Sequence, residues 1–146
     1  ILCMESYKSS LFFGTISGLY RLNGETIDKI AELEIVRSIK KWNNKLWISD
    51  KYQGLYTWNG SEVYLEYNFG FATISMVQLN GVLWAAHADY LIQIGYDQIW
   101  MYYFEGQKKF ASQHNCQEIV FLSNNSLVKF NSDEYISEFN CVVYHR

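Results

Sequence analysis

The chain has 146 residues, of which 49 % are hydrophobic and 18 % aromatic, with no proline and a formal net charge of −3. That length suits one domain with a real core. Lys and Arg are scattered, with doublets only at Lys40-Lys41 and Lys108-Lys109, so no basic stripe is offered to nucleic acid. No run of about 18 apolar residues exists, so no membrane-spanning helix is expected.

The chain opens ILCMESYKSS. This stretch lacks both the basic and the apolar regions of an intact signal peptide, and it lacks a leading Met. It reads as the start of a processed product or an excised piece. Next come the apolar phrase Leu11-Phe12-Phe13, then Gly18-Leu19-Tyr20, then Asn23-Gly24. Twelve Tyr, nine Phe and five Trp favour pleated, half-buried surfaces, so these phrases read as strands joined by turns.

Residues 25–41, ETIDKIAELEIVRSIKK, look helical in isolation, with a Thr able to cap and Ile30, Leu33 and Val36 at helical spacing. The pattern that follows overrules this. Leu46-Trp47-Ile48, Gly54-Leu55-Tyr56 and Asn59-Gly60 repeat the first set of phrases, with the two Gly-Leu-Tyr triplets 36 residues apart. Leu83-Trp84-Ala85, Tyr90-Leu91-Ile92 and Gly95-Tyr96-Asp97 continue it, and Ile119-Val120-Phe121, Ser126-Leu127-Val128 and Asn131-Ser132-Asp133 complete it. Leu19, Leu55, Leu91 and Leu127 hold one register throughout. A period of this length marks a solenoid, propeller or array.

The second repeat serves as the template for one unit. Ile35 to Lys41 is strand A, Leu46 to Ser49 strand B, Gly54 to Trp58 strand C and Glu62 to Tyr67 strand D. Asn59-Gly60 is expected to form a type I′ hairpin turn, with positive φ at both central residues. In strand D, Val63, Leu65 and Tyr67 alternate against Glu62, Tyr64 and Glu66, which puts the first three on one face. Four antiparallel strands per repeat make a propeller blade. The fold class expected is therefore all-β: a β-propeller of four blades of roughly 36 residues, either a complete ring or part of a larger one. Residues 1–146 form one propeller domain or segment, with units near 1–31, 32–68, 69–104 and 105–139 and a terminal strand at 140–146. An open arc of blades would expose edges and self-associate. Trp47 and Trp84 are expected in the core between blades, with Trp58 and Trp100 partly exposed.

Catalytic and cofactor motifs are missing: there is no HExxH, GxSxG, phosphate-binding glycine loop or EF-hand loop. Cys3, Cys116 and Cys141 lie far apart with no CxxC pair, so no zinc site is expected, and their redox state is left open. His87 follows a strand B while His114 sits near an A–B turn, on opposite faces of a blade, so they make no metal site. Glu32 and Glu34 flank a blade junction. Asp50 and Asp89 occupy B–C loops of neighbouring blades, and nothing in the sequence sets the spacing that glycoside hydrolysis would need. No enzyme activity, metal or cofactor is expected.

In an antiparallel four-stranded blade, A–B and C–D turns share one end while B–C loops and D–A links share the other. The second set varies more between repeats and carries larger side chains, which suits binding. The candidate ligand-binding residues are therefore Ser17, Asp50, Tyr52, Gln53, His87, Asp89, Asn124 and Asn125. Aromatic rings and amides there suit a sugar or a peptide.

The phrase NNKLWISDKYQGLYTWNG, residues 43–60, resembles the two-component-regulator propeller repeat, with its LWIGT-like strand, GLY-plus-aromatic strand and turn. LFFGTISGLYRLNG, residues 11–24, matches as well, including Gly14-Thr15. Residues 82–94 and 119–130 match more weakly, with Tyr90 and Ser126 in place of the Gly. The resemblance implies a sensory module of a bacterial hybrid histidine kinase, extracytoplasmic, taking a carbohydrate-derived ligand in a ring that usually has seven blades. LFFGTISGLYRLN also resembles the start of a citron-homology propeller, which implies a protein–protein interaction scaffold instead.

Overall fold

A computed structural model describes the backbone of residues 1–70, 73, 75–79, 81–87, 90–96, 98–103, 108–113, 118–123, 126–131 and 141–145. Side chains are described through Tyr102, Leu79 excepted. Among these residues every regular element is a strand and none is a helix. The chain divides into two compact units, Ile1–Thr73 and Ile74–Arg146.

The first unit holds two four-stranded antiparallel meanders. β1 (Cys3–Tyr7), β2 (Ser10–Thr15), β3 (Gly18–Asn23) and β4 (Thr26–Ala31) pair in that order. So do β5 (Ser38–Trp42), β6 (Lys45–Ser49), β7 (Gly54–Trp58) and β8 (Val63–Asn68). In the second unit β9 (Ser75–Leu79), β10 (Val82–Ala86), β11 (Tyr90–Ile94) and β12 (Gln98–Tyr103) form a third meander, onto which β16 (Cys141–His145) adds beside β12. β13 (Lys108–Gln113), β14 (Glu118–Ser123) and β15 (Ser126–Asn131) form a three-stranded sheet. The third strand of each sheet begins at Gly18, Gly54, Tyr90 and Ser126, so the 36-residue spacing read in the sequence is also a spacing of strands.

The helix-like stretch 25–41 is β4, a bent link and β5. Ile35 sits in that link with a φ of 51°, which no continuous helix contains. Its backbone is held by pairing: Ile35 N donates to Ile16 O, and Val36 N to Thr15 O. Strand pairing within a repeated register outweighs helix propensity here. The first strand of the second repeat consequently starts at Ser38, three residues later than the apolar run from Ile35 suggests.

The core of the first unit lies between its two sheets. Tyr7, Phe12 and Leu19 of the first sheet meet Ile39, Leu46, Ile48, Tyr56 and Trp58 of the second, with Leu33 and Val36 of the link between them. Each of these side chains contributes about 1.5–3 kcal/mol by leaving water. Leu19, Leu55 and Leu91 are all 0 % exposed, so the leucine register marks equivalent core positions in three sheets. The fourth, Leu127, has no described side chain.

Both glycines of the repeated triplet have a mechanical cause. In the first two sheets strand four carries a bulge, between the Leu19↔Ala31 and Tyr20↔Lys29 pairs and between Leu55↔Tyr67 and Tyr56↔Leu65. The extra residue is therefore Ile30 in one sheet and Glu66 in the other. Opposite each bulge stands the glycine: Gly18 has φ 152° and Gly54 φ 145°. A Cβ on Gly18 would lie 2.6 Å from Ala31 O, and one on Gly54 2.2 Å from Tyr67 O. In the third sheet Tyr90 replaces the glycine, and β11 pairs with β12 without a register shift. Glycine and bulge come and go together.

The bulge also corrects the expected alternation. Val63 and Leu65 pair with Trp58 and Tyr56, but Tyr67 pairs with Leu55. Tyr67 thus crosses to the opposite face and stacks on Trp47, with ring centroids 6.4 Å apart. Trp47 and Trp84 are buried as expected. Trp58, expected to be partly exposed, is only 5 % exposed because it lies in the seam between the two sheets.

Turn chemistry departs from expectation at one place. Asn59-Gly60 is not a two-residue type I′ turn: Gly60 has φ 112° while Asn59 has no positive φ. The connection runs over residues 59–62, and Asn59 Oδ1 accepts hydrogen bonds from Ser61 N, Ser61 Oγ and Glu62 N. The side chain acts as an Asx turn and so replaces the tight hairpin. Type I′ geometry appears instead at Asn43-Asn44 and at Lys8-Ser9, where both central residues have positive φ.

Candidate functional site

The two ends of the sheets separate as the strand count demands. In the first unit the loops after strand two and the links after strand four are hydrogen-bonded to each other. The link bonds to Thr15 and Ile16 as described, Lys51 N donates to Glu34 O, and Phe69 N and Gly70 N both donate to Gln53 O. Ser17, Asp50, Tyr52 and Gln53 therefore share one end of this unit.

Their local order has a common plan. Thr15 and Asp50 stand at equivalent positions where strand two ends. Thr15 Oγ1 accepts from Ser17 N at 3.0 Å. Asp50 Oδ1 accepts from Tyr52 N at 3.2 Å and Gln53 N at 3.0 Å. From the facing strand, the tyrosine of each Gly-Leu-Tyr triplet reaches the same loop. Tyr20 Oη lies 3.3 Å from Ser17 Oγ, and Tyr56 Oη donates to Asp50 Oδ2 at 3.2 Å, with Gln53 Oε1 at 3.1 Å. A phenol has one proton, so Tyr56 donates to one of these two acceptor oxygens at a time. The triplet is now explained: Gly clears the bulge, Leu fills the core and Tyr ties the loop. Burial first, and then the Asp50 charge, push the Tyr56 hydroxyl up to about 12.

Asp50 is 4 % exposed with both oxygens engaged. Its carboxylate holds the loop from within. Tyr52 points outward at 48 % exposure, with Lys51 Nζ 4.7 Å from its ring centre. Gln53 and Ser17 are exposed, Ile16 is 71 % exposed, and Phe69 is half-buried beside them, stacked on Tyr67. Lys51, Phe69 and Ile16 were not among the candidates. Ile16 and Lys51 lie in the same B–C loops as the candidates, and Phe69 lies in the D–A link that follows the second sheet.

His87 belongs to the second unit. It follows β10, donates its backbone N–H to Tyr90 O and stacks its ring 5.9 Å from that of Tyr90. Asp89, Asn124 and Asn125 lie outside the described residues.

The other end of the first unit holds two adjoining clefts. One, of about 400 Å³, is bordered by the Tyr7–Ser10 turn, Leu11 and Lys41. The other, of about 110 Å³, is bordered by Tyr7, Phe12, Arg21, Trp58 and Gly60. The sequence reading passed over this end because its turns looked purely structural. Among the described residues no group of three or more His, Cys, Asp or Glu side chains is placed to hold a metal ion. Among them, too, no helix is long and apolar enough to cross a membrane.

No protein-family model matches the chain, and no well-characterised protein matches it at a significant level.

Proposed function

We propose that the protein is a non-catalytic binding module built as a propeller of stacked meanders, recognising a carbohydrate-derived ligand within a bacterial signalling receptor. The reading rests on one observation above all. Asp50 and Tyr56 freeze the loop 50–53 from inside, while Tyr52 and Gln53 stand exposed on it. A preorganised aromatic ring beside an amide suits a sugar: the ring covers C–H faces and the amide pairs with hydroxyls. Ser17 and Phe69 extend the same end of the unit. The receptor context comes from the resemblance of residues 11–24 and 43–60 to the sensory propeller repeat.

The second reading is a protein-interaction scaffold of the citron-homology kind. Ile16, 71 % exposed next to Ser17, favours it, because a protruding aliphatic side chain suits a protein partner better than a sugar. A glycan array followed by calorimetric titration of the hits separates the two. The sugar reading expects a hit that Tyr52→Ala weakens about tenfold or more, with the melting temperature unchanged. An array without hits refutes it.

A further inference from the structure

The end of the first unit opposite the loop 50–53 holds the two adjoining clefts. The seam between the first two sheets opens there. Tyr7, Phe12 and Trp58 form its floor, with ring centroids 6.3 Å apart for Tyr7–Phe12 and 6.0 Å apart for Phe12–Trp58. Around this floor stand three cations. Lys8 and Lys41 border the larger cleft, and both are exposed. Neither has a carboxylate partner among the described residues. Arg21 borders the smaller one, its guanidinium 5.9 Å from the Trp58 ring. Asp28 holds its Nη2 at 3.0 Å, and its Nε is buried with no partner among the described residues. Two positive charges are thus left uncompensated at one mouth of a chain whose net charge is −3.

The turn that supplies Lys8 is itself unusual. Lys8 and Ser9 have φ of 45° and 62°, a conformation that normally selects Asn or Gly. The equivalent turn of the second sheet obeys that rule with Asn43-Asn44. It is tied to the first sheet, where Tyr7 Oη donates to Asn44 O at 2.6 Å. A strained backbone held by its surroundings, presenting a lysine and two serine hydroxyls at a cleft, is the kind of outlier found at ligand clamps.

We propose that this cleft binds a small phosphate monoester. Two ammonium groups match the two charges of the dianion, and Ser9 and Ser10 offer hydroxyl donors. The smaller cleft, walled by Phe12, Trp58 and Arg21, takes part of the organic group. Charge and size leave two sources for the ester, a sugar phosphate or a phosphorylated hydroxyl side chain.

The test is a nitrogen–proton NMR titration of the full chain with glucose 6-phosphate and with O-phosphoserine, using glucose and serine as controls. At least one ester is expected to move the Lys8, Ser9 and Ser10 amides and the Trp58 indole, while the controls move none. Replacing Lys8→Ala and Lys41→Ala together is expected to weaken binding about tenfold or more without disturbing distant resonances. Tyr52→Ala, at the opposite end, is expected to leave binding unchanged, so this site and the proposed sugar site fail independently. The tighter ester identifies the source. Silence from both esters up to about 10 mM, an affinity of only about −3 kcal/mol, overturns the proposal. So does wild-type affinity in the double lysine variant.

Discussion

Replacing Gly54 by alanine tests the reason for the repeated triplet. At φ 145° an L-residue is strained, at about 1–3 kcal/mol. The new methyl would also sit 2.2 Å from Tyr67 O and 3.2 Å from Phe69 Cδ2. A backbone carbonyl in a bulge cannot swing aside as a flexible side chain does, so overpacking adds about 1–3 kcal/mol. Lower entropy of the unfolded chain returns about 0.4–1 kcal/mol. The net expectation is a loss of about 2–5 kcal/mol, a large part of an ordinary domain's stability. Gly24 is the control. Its φ is 62° and a Cβ there meets nothing within 4 Å, so Gly24→Ala carries only left-handed strain of about 1–2 kcal/mol. Urea unfolding followed by tryptophan fluorescence reads both, because Trp42, Trp47 and Trp58 lie in the second sheet and Trp58 sits in the core it shares with the first. With a slope near 1.5 kcal/mol per molar urea, Gly54→Ala lowers the midpoint by roughly 1–3 M. If the two variants lose the same stability, the clash with the bulge is not what selects glycine.

Asp50→Ala removes the acceptor of Tyr52 N, Gln53 N and the Tyr56 hydroxyl, so a loss of about 2–4 kcal/mol is expected in the same urea assay. Asp50→Asn keeps one carbonyl oxygen and is expected to lose less than half of that. Alkaline pH is expected to destabilise the fold. Burial, outweighing the Gly14 hydrogen bond and the Lys40 and N-terminal charges, pushes the Cys3 thiol from 9.0 to about 11. Burial and then Asp50 push Tyr56 from 10.0 to about 12. Both groups keep their protons longer in the folded chain than in the unfolded one. Their contribution is complete below pH 9, declines as the unfolded thiol and phenol ionise, and is gone once pH passes about 11 and about 12. Melting temperatures measured across that window should fall, and the fall should be shallower in Tyr56→Phe.

Much of the fold was legible because the repeat supplied information that no single segment carries. Residues 25–41 mislead when read alone, and only the register of their neighbours turns them into two strands. The leucine positions and the burial of Trp47 and Trp84 followed from the same register. What was not legible depends on one-residue effects. The bulge at Glu66 shifts Tyr67 to the other face, and a period-two reading has no way to register an inserted residue. Asn-Gly failed as a tight turn because the Asn59 side chain found three donors nearby. At the candidate site, the sequence put Ser17, Asp50, Tyr52 and Gln53 in loops at one end of the sheets, and in the first unit those loops are hydrogen-bonded to the links after strand four. The buried carboxylate of Asp50 and its tie to Tyr56 emerge only when strand three is laid beside the loop. The cationic cleft was missed because Lys8 and Arg21 are distant in sequence from Lys41 and Trp58, and only the stacking of two sheets brings them together.

The claim beneath all of this is that β-meanders repeat along the chain, the first two packed on each other in the first unit. Backbone nuclear Overhauser effects over residues 25–45 test it most directly. The account predicts cross-strand contacts of Ile27 with Leu22 and of Lys40 with Trp47, and no succession of i to i+3 contacts. An unbroken series of i to i+3 contacts from Thr26 to Lys40 would contradict it.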